Sequence, residues 1–347
     1  MNFDIAVILA QDGIVNGAIY ALVALALVLV YAVTRVIFIP QGELVAFGAL
    51  SLASLQLGHV PGTVWLLTVL ALSVMAVEAW GAWTQRSLRR LGRAAVWNLL
   101  LPGIVVGLVF LLAPSKPPYI VQVLLTIAMI APLGPMIYRL AFQPVAGASV
   151  LVLLIVSVAV HFVLLGLGLV FFGPEGSRTA SPTDFTIKMD SLQIPAQSIW
   201  VISATAVIIA ALYAFFEKTM LGKALRATAI NRKGSRIVGI RTSLAGSLAF
   251  MLAALLAVIS GILISPMTTI YYDTGFLIGL KAFVGAILGG LVSYPIAAAG
   301  AVLVGLLESY SSFWASAFKE VIVFTLIIPV LLWRSLTSKA IEEEEED

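Results

Sequence analysis

The chain has no cysteine, only two histidines, and charge on just 11% of its 347 residues. Without cysteine there is no disulfide, no thiolate nucleophile and no thiolate-held metal. His59 and His161 each lack a second ligand at metal spacing, so each reads as a polar residue of a loop or bundle. The charged fraction falls far below the roughly one quarter carried by a soluble domain, which excludes that class. A phosphate-binding loop is missing too. Gly222-Lys223 is followed by Ala224, and Glu217 stands where the leading glycine belongs. Ser316-Ala-Phe-Lys319 fits S-x-x-K without that motif's companions, and no carboxylate pair is set for hydrolysis. Nothing points to an enzyme, a bound cofactor, a metal or a nucleic-acid partner.

What is present is apolar length. Hydrophobic residues make up 61% of the chain, and about 20 in a row let a helix cross the hydrocarbon core of a membrane. Apolar stretches recur at about 5–33, 36–57, 61–82, 96–113, 119–137, 148–172, 196–216, 243–265, 276–292, 296–315 and 320–333. The expected fold is all-α: a polytopic transmembrane helical bundle of about eleven spans (nine at the fewest), in one domain over 1–340. MNFDIAVILA has neither a basic n-region nor a small-residue cleavage site, so it is expected to run into the first span. The final six residues, Glu342 to Asp347, are all acidic, and 341–347 reads as a disordered tail.

The stretch 217–241 is the one least suited to lipid. It carries seven basic residues, Lys218, Lys223, Arg226, Arg232, Lys233, Arg236 and Arg241, against the single acid Glu217. Leu221, Leu225 and Thr228 predict a short amphipathic helix, Asn231 to Gly234 a turn, and Ile237, Val238 and Ile240 a second apolar surface around Gly239. A topology anchor needs only the charge; the ordered pattern suggests a surface for another protein. Setting this loop in the cytoplasm puts fifteen basic residues inside and four outside, with the N-terminus out and the C-terminus in. The polar connector from Gly173 to Pro195 then lies outside, either a docking surface or a passive link.

The second span looks broken. Pro40 interrupts it, and backbone groups freed at membrane depth must find partners within protein or beside water. Near the other end Lys281 to Gly290 is glycine-rich. Interrupted segments in both halves of a transporter point to a path between them; the plainer reading is a tolerated kink and packing glycines. Gly13/Gly17, Gly103/Gly107, Gly275/Gly279 and Gly285/Gly289 have the spacing that lets helices approach closely. Glu43, Glu78, Lys281 and Glu308 fall within spans, so each must pair, face the interior or reach an interface. As proton or ion sites, Glu43, Glu308 and Lys281 would instead suit an ion-coupled secondary transporter. The residues proposed for the path are Gln41, Gly42, Glu43, Lys281, Gly285 and Gly289.

Four stretches together resemble the LivH-type permeases of branched-chain amino-acid ABC importers. They are Asn16 to Leu22 leading to Gln41-Gly42-Glu43, Tyr138 to Pro144, Leu221 to Ile240, and Gly279 to Gly290 with Ser293. The resemblance implies a permease subunit moving a small polar metabolite, foremost a branched-chain or related amino acid, across a bacterial inner membrane. Its implied partners are two cytoplasmic ATPase subunits, a second LivH- or LivM-type permease and a periplasmic substrate-binding protein, all in a setting of membrane lipid. Gly222, Arg226, Lys233 and Gly239 would then belong to the ATPase-coupling loop. There are departures. Phe38-Ile39-Pro40-Gln41-Gly42 stands where the family has Asn-Phe-Ala-His/Gln-Gly, and Lys233-Gly234-Ser235 where many importers have Glu-Ala-Ala. Between about 86 and 137 the chain is also longer than the family pattern, by enough for two extra spans.

Overall fold

The computed structural model describes residues 3–85, 95–189, 192–326 and 328–332. The arginines at 86–93, Arg334, Lys339 and the acidic tail lie outside the described residues. The first half runs through α1 (Phe3–Thr34), α2 (Gln41–Leu57), α3 (Thr63–Gln85), α4 (Val96–Ser115), α5 (Tyr119–Phe142) and α6 (Val150–Phe172). After α7 (Ala196–Lys218), the basic loop folds as α8 (Met220–Ile230) and α9 (Arg232–Ile237). The order closes with α10 (Thr242–Ile264), α11 (Thr274–Leu288), α12 (Tyr294–Trp314) and α13 (Lys319–Thr325). Each expected span contains helix among its described residues, although 36–40 and 289–292 are non-helical, and among the described residues eight helices are long and apolar enough to cross a membrane. The broken second span, α2, has 17 residues and the glycine-rich α11 has 15, both short of a full crossing.

Burial sorts these helices into layers. α2 is buried along nearly its whole length and packs between α10 and α11, while α1 lies against α12, α10 and α11. α4 and α7 form the periphery and expose apolar side chains such as Leu111, Val207 and Tyr213. Lipid is as apolar as leucine, so close packing here comes from small residues that let backbones touch. Gly13 and Gly17 of α1 meet the backbone of Gly305, Val302 and Leu306 of α12. The matching spacing at Gly103/Gly107 does no such work, because both glycines of α4 face open space. The all-helical expectation misses one feature. The Gly173–Pro195 connector contains an antiparallel hairpin, Thr186–Met189 with Leu192–Pro195, and Ser177 bridges to Ile270.

Candidate functional site

Two short helices meet inside the bundle. After α1, Arg35 takes a left-handed φ of 61° and 36–40 turns back as non-helical chain buried within the protein. Ser157 of α6 serves that chain twice, donating to the Ile37 carbonyl at 2.7 Å and accepting from the Ile39 N–H at 3.0 Å. Phe38 anchors it against Phe142 and Phe250. Gln41 then opens α2 beside Ala253, the midpoint of α10, with its Nε2 donating to the Ala253 carbonyl at 2.8 Å. α2 therefore starts at mid-depth. There Gly42 lies against Gly275 and Gly279 of α11, so closely that a Cβ on Gly42 or Gly275 would strike the other's carbonyl. The first turns of both helices thus converge on one place. Beside it lies a cavity of about 250 Å³ lined by Leu27, Ile37, Phe38, Ile39, Gln41, Leu154, Phe276, Gly279, Leu280 and Phe283. Gln41 is the only polar side chain in that lining. Its Oε1 is buried and has no hydrogen-bond partner among the described residues.

Glu43, Glu78, Lys281 and Glu308 are each paired. Glu43, also at the start of α2, places Oε1 at 2.8 Å from His161 Nδ1 on α6. Glu78 of α3 pairs with Arg139 of α5. Lys281 Nζ donates to Glu308 Oε1 at 2.6 Å and to Glu320 Oε1 at 3.1 Å, while the Tyr20 hydroxyl donates to Glu308 Oε2 at 2.6 Å. Such pairing is what permits charge at membrane depth. Among the residues proposed for the path, Gln41 and Gly42 come together with Gly275 and Gly279, and Glu43 lies just behind them. Lys281, Gly285 and Gly289 do not join that group. The two glycines pack against Ala301 and Ala297 of α12, and Lys281 ties α11 to α12 and α13. The roles of Ser157, Tyr20 and Glu320, and the partner of His161, escaped sequence reasoning, because partners 39 to 288 residues away leave no local spacing to read.

The basic loop is ordered by two caps. Thr219 Oγ1 accepts from the Gly222 N–H at 3.0 Å at the start of α8, and Asn231 Oδ1 accepts from the Gly234 N–H at 2.8 Å at the start of α9. Leu225 and Thr228 face inward as expected, but Leu221 is half exposed and Gly222 takes the third inward position. The reason is proximity. A Cβ at Gly222 would run into the Phe215 carbonyl, so only glycine lets α8 lie on the end of α7. Arg226 pairs with Glu217 at 2.8 Å, Lys233 is exposed, and Gly239 closes the loop with φ 87° in open space. Met220, Ile230, Ile237 and Val238 project into solvent, each 75% exposed or more.

Residues 9–331 match the family model described as "Branched-chain amino acid transport system / permease component". The chain belongs to that family. It is 26% identical over 336 residues to the high-affinity branched-chain amino acid permease protein LivH of Escherichia coli K12, covering 92% of this chain and 91% of that protein. It is 30% identical over 210 residues to BraD of Pseudomonas aeruginosa, covering 58% and 68%. A probable LivH of Methanocaldococcus jannaschii is 30% identical over 191 residues, covering 53% and 60%. No solved structure matches the chain. In this multi-pass permease, α1 connects the two regions described above. Leu27 lines the mid-depth cavity, and two residues on, Leu29 packs with Val33, Phe216 and Leu225 beneath α8.

Proposed function

We propose that this permease passes a small amino acid, branched-chain or related, through the meeting point of α2 and α11, driven by ATP hydrolysed on two partner subunits that grip α8 and α9. A second permease of the same family and a periplasmic binding protein complete the assembly in a bacterial inner membrane. The observation that carries this reading is the loop's surface. Met220, Ile237 and Val238 are apolar and exposed on a basic loop outside the spans, where lipid does not cover them, and such a patch marks a protein partner. The cavity supports the substrate class, since apolar walls suit an aliphatic side chain and Gln41 Oε1 is free to accept from an amino group. Movement of the ATPases would reach the cavity through α8 and α1 as rigid-body displacement.

The test is co-purification at native expression of wild type and of the double variant Ile237→Asp/Val238→Asp. Both side chains are exposed, so thermal unfolding should be unchanged while the ATPase subunits are lost. Retention of the ATPases by the variant would move the docking surface elsewhere. If wild type never brings down an ATPase, and vesicles holding this chain alone take up solute on a proton or sodium gradient, the importer reading gives way to an ion-coupled one.

A further inference from the structure

A second cavity, of about 620 Å³, lies at the basic-loop end of the bundle and takes no part in the path proposed above. Its walls come from the last turns of α1, from α7 and α8, and from the start of α12, with Leu25, Leu29, Leu212 and Phe216 among them. The lining changes character along its length. Leu25 is ten residues before Arg35, about 15 Å deeper along the helix, and the side chains at that depth are apolar. At the shallow end stand two guanidiniums, Arg35 and Arg226. Arg226 is paired with Glu217 at 2.8 Å. Arg35 has no carboxylate partner among the described residues and rests over the Tyr31 ring at 5.8 Å. The mouth therefore keeps a surplus positive charge. On either side, α7 and α12 expose Val207, Tyr213 and Ile296, so the cavity opens between faces that meet lipid.

We infer that this cavity seats one anionic phospholipid, with one of its two acyl chains along Leu25 and Leu29, the other left in the surrounding bilayer, and its phosphate at Arg35 and Arg226. An apolar slot capped by arginines at the membrane surface has the polarity of such a lipid, and basic pockets between membrane helices bind acidic headgroups by this charge match. The volume falls within the roughly 300–1,000 Å³ of ligand sites. Because Leu225, Arg226, Ala229 and Ile230 of α8 also line it, the lipid would brace α8 against α1 and α12. The binding itself does not depend on what α8 docks.

Native mass spectrometry of the permease, purified with whatever subunits accompany it and stripped of lipid by detergent washing, tests the inference with two added probes. Phosphatidylglycerol should bind one per chain, and phosphatidylcholine markedly less. Arg35→Gln/Arg226→Gln should weaken phosphatidylglycerol by about tenfold or more, the scale of two arginines at a charged surface. Ala298→Phe, which fills the slot from α12, should remove both lipids with the unfolding temperature held. Equal binding of the two lipids, unaltered by the arginine double variant, would overturn the anionic assignment. Absence of stoichiometric lipid from wild type would overturn the site. Loss of the second permease from Ala298→Phe with lipid retained would make the slot a subunit interface instead.

Discussion

At the scale of single residues, spacing and environment carry different information, and the glycines separate them. Gly42 and Gly103 both sit in apolar helices, and Gly103 even has a partner at the spacing typical of packed helices. Only Gly42 touches another backbone, that of Gly275. Gly42→Ala should force α2 and α11 apart, and overpacking of this kind costs about 1–3 kcal/mol. Gly103→Ala/Gly107→Ala meets nothing within 4 Å, and replacing helix-interior glycine with alanine should leave stability unchanged or raise it by about 0.5–1 kcal/mol per site. Thermal unfolding in one detergent, run on both variants and wild type, compares them directly. Equal destabilisation by the two variants would mean that the approach of Gly42 to Gly275 is not what the glycine serves.

At the scale of helices, a buried charge is informative about which elements it joins. Lys281 of α11 reaches Glu308 of α12 and Glu320 of α13, and Tyr20 of α1 closes the group. Lys281→Met leaves the largely buried Glu308 without its cation, and stranding charge in that way costs about 3–5 kcal/mol. Adding Glu308→Gln should recover a large part of the loss, a coupling that a double-mutant cycle on unfolding temperature reads out. Strict additivity would show that the pair does not hold these helices together. The helices themselves were legible in the sequence, because every apolar stretch of about 20 residues has one stable state in lipid. The break at Pro40 was legible as well, from proline, whereas 276–292 read as a full span and its helix of 15 residues is a finding of the structure. What sequence could not supply was the partner of each polar group. Ser157 serves the Ile37–Ile39 backbone and His161 meets Glu43 across more than a hundred intervening residues, and hydrophobic periodicity says nothing about either. Leu221 failed for a related reason: the inward face of α8 is fixed by how closely Gly222 approaches α7, not by which side chain is most apolar.

For the whole molecule, the two ends of the bundle differ in chemistry, and that difference predicts sidedness. One end carries α8 and α9 with their basic and exposed apolar side chains; the other carries the polar connector with its β-hairpin, joined to Ile270 through Ser177. Positively charged loops stay in the cytoplasm, so the α8–α9 end should face inward and the connector outward. The lack of native cysteine makes wild type a ready background for single-cysteine labelling. Val238→Cys and Glu175→Cys both replace exposed residues, one at each end. In intact spheroplasts a membrane-impermeant maleimide should modify Glu175→Cys and spare Val238→Cys, which should react only after the membrane is opened. The reverse pattern would turn the molecule over. The exposed apolar side chains of α8 and α9 would then face away from any cytoplasmic ATPase, and the coupling role proposed for them would fall with the orientation.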